Sequence, residues 1–153
     1  MIYGKKEDYL QHVHGARVNY SDVTKWLYKM HTDYSIHALF VGYDSWGSQY
    51  WIEEMQEYGF KMDQVIQGAK TMSNPMKELE ADLKEKKVNY NNNPILKWCL
   101  LNTSIEIDKN DNIRPIKGKK TKQRIDGAVS LIDAYVSLIR NMGEYLSYQE
   151  GRE

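Results

Sequence analysis

Two carboxylates and one concentrated run of cations carry the chemistry that this chain of 153 residues can offer. Asp44 closes the segment Ile-His-Ala-Leu-Phe-Val-Gly-Tyr-Asp-Ser-Trp-Gly at residues 36–47. Its run Ala38-Leu39-Phe40-Val41 lacks polar alternation and suits a strand buried on both faces. An acid at the carboxyl end of such a strand projects into the crevice where ligand and catalytic groups collect in open α/β sheets. An acid followed by serine after a strand also suits the N-cap of the next helix. Asp126 stands in Arg124-Ile125-Asp126-Gly127-Ala128, one or two residues inside a long final helix, beside small residues that leave space around it. The helix dipole favours an acid there, so a structural role is open as well. Between them, residues 109–124 hold seven cations (Lys109, Arg114, Lys117, Lys119, Lys120, Lys122 and Arg124) against the single acid Asp111. Such a loop on an otherwise acidic body is the footprint of phosphate contact, because each cation on a nucleic-acid backbone releases a condensed counterion. A solvated loop has the same composition. A basic loop that delivers phosphates to an acid beside glycine suggests a metal-dependent nuclease.

The elements that must position these groups follow from periodicity. Ser21 is the expected N-cap of a helix to about Asp33, with Val23, Trp26, Leu27 and Met30 on one face. The strand before Asp44 leads to a helix over Gln49–Tyr58, stopped by Gly59, with Trp51 packed in the core. Met62–Gln67 resembles a short strand. Asn74-Pro75 and Asn93-Pro94 each signal a helix start, the first with Met76, Leu79 and Leu83 buried. Thr103–Ile107 and Ile113–Ile116 form a hairpin across the turn Lys109–Asn112. The final helix runs from near Arg124 to about Met142, with Asp126, Ser130, Asp133, Ser137 and Arg140 on a narrow polar stripe. Alternating strands and helices with a hairpin indicate a three-layer α/β domain, one domain over residues 1–153.

The totals exclude several classes. Formal net charge is zero, with 27% charged and 41% hydrophobic residues, so whole-chain electrostatics select no partner. The single cysteine, Cys99, permits no internal disulfide, and its apolar neighbours mark a buried thiol, not a nucleophile. No apolar run is long enough for a membrane span or a signal peptide, which points to an intracellular protein without membrane contact. His12 and His14 flank Val13 and read as surface residues.

Four segments then resemble a known family in order and spacing: Val41-Gly42-Tyr43-Asp44-Ser45-Trp46, Gln67-Gly68, Asn93-Pro94-Ile95-Leu96-Lys97-Trp98 with Asn102, and Lys122-Gln123-Arg124-Ile125-Asp126-Gly127-Ala128-Val129-Ser130-Leu131. They are similar to the C-terminal nuclease domain of the large terminase subunit of tailed bacteriophages, over roughly residues 18–142. The resemblance implies an RNase H-like fold with a mixed central sheet. It implies a metal-dependent endonuclease that cuts concatemeric viral DNA during genome packaging in the cytoplasm of the bacterial host. Asp44 and Asp126 become the catalytic acids, joined by Asp133 as metal ligands. Two-metal phosphodiester hydrolysis needs carboxylates from separate elements to hold ions ~3.5–4 Å apart, and hard oxygen ligands favour Mg²⁺ or Mn²⁺. Lys117, Lys119, Lys120, Lys122 and Arg124 would hold double-stranded DNA, and the terminase small subunit and the portal are the implied partners.

The family's first acid lies on an initial strand, upstream of a meander that this chain has no room for before Ser21. Neither Asp8 nor Asp22 replaces it, and no Walker A segment precedes the domain. The expectation is an N-terminally truncated domain with weak metal binding, slow or absent cleavage, and a sheet edge exposed for self-association. The alternative is a non-catalytic DNA-binding or assembly module, in which the acids are caps and the basic loop alone contacts DNA.

Overall fold

The computed structural model describes residues 18–44, 49–118 and 123–151. Its organising element is helix α5 (Asp126–Arg140), whose residues Ala128, Ile132, Tyr135 and Val136 recur at helical spacing and are all buried. Burying each of the larger of these stabilises the fold by about 1.5–3 kcal/mol. They close a core with Val65, Met72 and Leu79, flanked by half-buried Met76, Leu83, Val129 and Leu138. Met72, Met76, Leu79 and Leu83 are the matching stripe of α3 (Ala69–Lys84), so α3 and α5 pack face to face.

Strand β1 (Val41–Tyr43) pairs in parallel with β2 (Met62–Gln64), with Val41 opposite Met62 and Tyr43 opposite Gln64. Two helices precede these strands: α1 (Tyr20–Tyr34) before β1, and α2 (Gln49–Glu57) between β1 and β2. Trp51 on α2 donates from its ring nitrogen to Thr24 Oγ1 at 3.1 Å and stacks on Tyr20, which fastens α2 to α1. Helix α4 (Pro94–Asn102) starts where the Asn93-Pro94 signal placed it: the Asn93 side chain accepts from the N–H groups of Ile95 and Leu96 at 2.9 and 3.1 Å. The hairpin β3 (Thr103–Ile107) and β4 (Ile113–Lys117) is antiparallel, and Asp108 holds its tip by accepting from the backbone N–H of Asn110 and Asn112.

Several expectations shift. The strand before Asp44 begins at Val41 and is half-buried, while Ala38 is exposed, so the apolar run is mostly approach loop and not a strand covered on both faces. Asn19, not Ser21, caps α1, and Thr24 is its buried residue while Trp26 is 43% exposed. Helix α3 starts at Ala69 and runs through Pro75, because burial of Met72 and Ser73 extends the apolar stripe upstream of the proline. That burial offsets the backbone bond Pro75 cannot donate. The Ser73 hydroxyl also accepts from Ile113 N–H at 3.1 Å, which ties α3 to the hairpin. The final helix ends at Arg140, and a separate α6 (Met142–Glu150) follows. Asn141 makes the break: its side-chain amide donates to the Ser137 carbonyl at 2.9 Å and to Asp63 at 3.3 Å. The parallel pair and the hairpin are separate two-stranded sheets among the described residues, not one mixed sheet. The general class is α/β, as expected.

Candidate active site

Asp44 follows the last residue of β1 directly and is exposed. The Tyr43 carbonyl accepts from Val65 N–H at 2.8 Å, so the chain leaving β2 rises past the same edge and brings Gln67 there. Helix α5 lies across β1 at close range. A Cβ built on Gly42 would stand 2.7 Å from the Asp133 carbonyl oxygen, so only glycine lets the helix backbone settle on the strand at this point. This contact delivers Asp133, from the middle of α5, to the edge where Asp44 stands.

Asp133 is 7% exposed and forms no ion pair with any described residue. Gln67 grips its carboxylate, with one amide nitrogen donating to Oδ1 at 2.8 Å and to Oδ2 at 2.9 Å. Burial pushes the carboxyl above its ordinary pKa, the Gln67 bonds oppose that rise, and the negative charge of Asp44 adds to it. Two acids from different elements therefore feel each other at this edge.

Asp126 is placed differently. It is the exposed first residue of α5, seven residues before Asp133, and thus about 10 Å away along the helix axis by the rise per residue. Asp126 and Asp133 lie on one stripe, about two turns apart. Gly127 does not open space for Asp126: its Cβ position meets Cys99 Sγ at 3.2 Å and Leu96 at 3.5 Å, so the glycine serves the packing of α5 on α4. Among the described residues no group of three histidine, cysteine or acidic side chains is arranged to hold a metal.

Of the basic loop, Lys117 and Arg124 are described and exposed. Lys119, Lys120 and Lys122 lie outside the described residues, as do Asp8, His12, His14 and Trp46. Arg114 is spent on an ion pair with Glu106 across the hairpin. The two ends of the loop meet, since Gly118 abuts the Gln123 side chain and Asn102 donates to the Arg124 carbonyl at 3.3 Å. Cys99 is buried, as expected. Gln67 is the functional residue that pattern reasoning missed: the pair Gln67-Gly68 carried resemblance but no role, although a polar side chain just beyond the second parallel strand was a usable signal.

A family model described as "Terminase large subunit, endonuclease domain" matches residues 5–142. The chain belongs to that family. Its described fold is similar to the crystal structure of the HK97 bacteriophage large terminase, with a TM-score of 0.74 and 25% identity over 86% of this chain and 27% of that one. Protein YmfN of Escherichia coli (strain K12) is 42% identical over 72 residues, which cover 46% of this chain and 16% of that protein. The chain therefore covers 27% and 16% of the lengths of these two proteins. No helix among the described residues is long and apolar enough to cross a membrane.

Proposed function

We propose that this terminase endonuclease domain is a divalent-cation-dependent nuclease that cuts concatemeric viral DNA during genome packaging in the bacterial cytoplasm, on an RNase H-like three-layer frame. The observation that carries the reading is the buried Asp133, held by Gln67, beside Asp44 at the carboxyl edge of the parallel strands. Its donor set fits the implied ion: two carboxylates from separate elements, all hard oxygen, suit Mg²⁺ or Mn²⁺. Asp44 and Asp133 would hold that ion. Asp126, about 10 Å along the helix, serves a second ion or the approach of the phosphate.

When bound, the ion supplies charge neutralisation at the scissile phosphate. The chain's own residues do the rest. Gln67 fixes the Asp133 carboxylate so that its lone pairs face the edge. Gly42 keeps α5 close enough to β1 for the two acids to converge. Lys117, Lys119, Lys120, Lys122 and Arg124 bind the DNA backbone. The small subunit and the portal are the partners this reading assigns.

The test is Mn²⁺ binding followed by calorimetry, beside nicking of supercoiled plasmid, for the chain and for Asp44→Asn, Asp133→Asn and Asp126→Asn. Loss of Mn²⁺ binding in the first two variants, with folding kept, supports the site. Unchanged Mn²⁺ affinity in both would sink it. A second reading, a non-catalytic DNA-binding or assembly module, is favoured by the lack of a three-ligand cluster among the described residues. It expects DNA binding that none of the three acid variants weakens and no Mn²⁺-dependent nicking.

A further inference from the structure

A cluster at the C-terminal end of α1 plays no part in the acid site. His31 lies in the last turn of α1, and the chain reverses at Ser35, whose φ of 55° is left-handed and whose N–H bonds back to the Met30 carbonyl. The reversal turns His37 to face His31, with ring centroids 4.6 Å apart and planes at 80°. Among the described residues neither imidazole takes part in a hydrogen bond or an ion pair. Both rings line a cavity of about 100 Å³, walled also by Tyr28, Tyr58 and Phe60. That is room for an ion and one or two waters, each of which occupies ~30 Å³ in the liquid.

We infer that His31 and His37 form a binding site for a divalent transition-metal ion, zinc in particular, completed by water. Two imidazoles that share a tetrahedral ion at ~2.0–2.1 Å place their ring centres roughly 5.2 Å apart, so the 4.6 Å pair would open by about half an ångström to seat it. Imidazole nitrogen selects zinc, copper or nickel over magnesium, whereas the carboxylates at Asp44 and Asp133 select the reverse. The site thus stands independently of the nuclease reading. Its ion would join the end of α1 to the loop that enters β1, and Tyr148 of α6, with its ring 6.4 Å from that of His37, abuts the same place. With only two protein ligands, the dissociation constant should fall at about micromolar to tens of micromolar.

Zn²⁺ calorimetry on the whole chain, with millimolar Mg²⁺ present, tests this. The expected result is one Zn²⁺ site that Mg²⁺ does not displace, weakened at least tenfold in His31→Gln and in His37→Gln and unchanged in the His12→Gln/His14→Gln double variant. At a hundredfold excess over the dissociation constant, Zn²⁺ should raise the melting temperature by about 5–10 °C. Should a glutamine variant fail to fold, Cu²⁺ added to the parent chain decides: selective broadening of the His31 and His37 ring-proton signals supports the site. Absence of Zn²⁺ binding, displacement by Mg²⁺, or broadening confined to His12 and His14 overturns it.

Discussion

Replacing Gly42 with alanine examines the contact on which the acid site depends. The added Cβ would lie 2.7 Å from the Asp133 carbonyl oxygen and 3.0 Å from its carbonyl carbon, and both are helix backbone that cannot rotate away. Ordinary carbon–oxygen approach is ~3.3–3.6 Å, so α5 must retreat from β1 by roughly 0.6 Å. A gap of that size along the helix forfeits about a quarter to a half of the local dispersion energy. Overpacking of this kind costs about 1–3 kcal/mol, and in a domain of this size each kcal/mol lowers the melting temperature by about 2–4 °C. The variant should therefore melt about 2–12 °C below the parent by circular dichroism, and its Mn²⁺ affinity should fall in step, because Asp133 moves with the helix. Gly143→Ala is the control: it stands inside α6 with open space around the new methyl group and should be neutral or stabilising. A Gly42→Ala protein that melts no lower than the parent would refute the close-approach argument.

Asp133→Asn should leave stability within about 1 kcal/mol of the parent at pH 7, because it removes a buried charge while keeping one acceptor for Gln67, and it should abolish the stabilisation that Mn²⁺ gives; denaturation with and without Mn²⁺ checks both. Asn93→Ala strips the cap of α4, where one side-chain oxygen accepts two N–H groups, and should cost about 1 kcal/mol in urea unfolding. Tyr135→Phe removes the hydroxyl that donates to Asp82, which together with Lys87 holds that carboxyl below its ordinary pKa. A depressed carboxylate stabilises the fold above its unfolded pKa and loses that effect as pH falls through the folded value, so the deficit of the variant should be full at pH 7 and fade in acid below the ordinary carboxylate pKa of 3.8. Equal deficits at both pH values would exclude the Asp82 contact as its cause. β1 has no neighbour on its other edge among the described residues, so light scattering at high concentration should show self-association; a strictly monomeric mass would count against an open edge.

How much of this was legible beforehand depended on how local the cause was. The Asn93-Pro94 start of α4, the hairpin with its Asp108 tip and the stop at Gly59 are set by a few adjacent residues, and each was readable. Helix α3 was readable only from Pro75 onward, since what carries it back to Ala69 is burial of Met72 and Ser73 against elements far along the chain. Placement of the acids divides the same way. Asp44 announced itself because an apolar run ends on it. Periodicity placed Asp133 on a polar stripe and the family resemblance added it as a metal ligand, while the helix dipole and the neighbouring glycine drew attention to Asp126. A glycine in β1, about ninety residues before Asp133, lets the middle of α5 settle on the strand. Once that approach is fixed, Gln67 acquires a purpose. It sits where the second parallel strand delivers its chain to the same edge, and its amide donates to both oxygens of a carboxyl whose pKa burial raises, opposing that rise. The pair Asp133–Gln67 is thus a long-range product of packing, and the approach of Asp133 to the strand depends on Gly42 having no side chain.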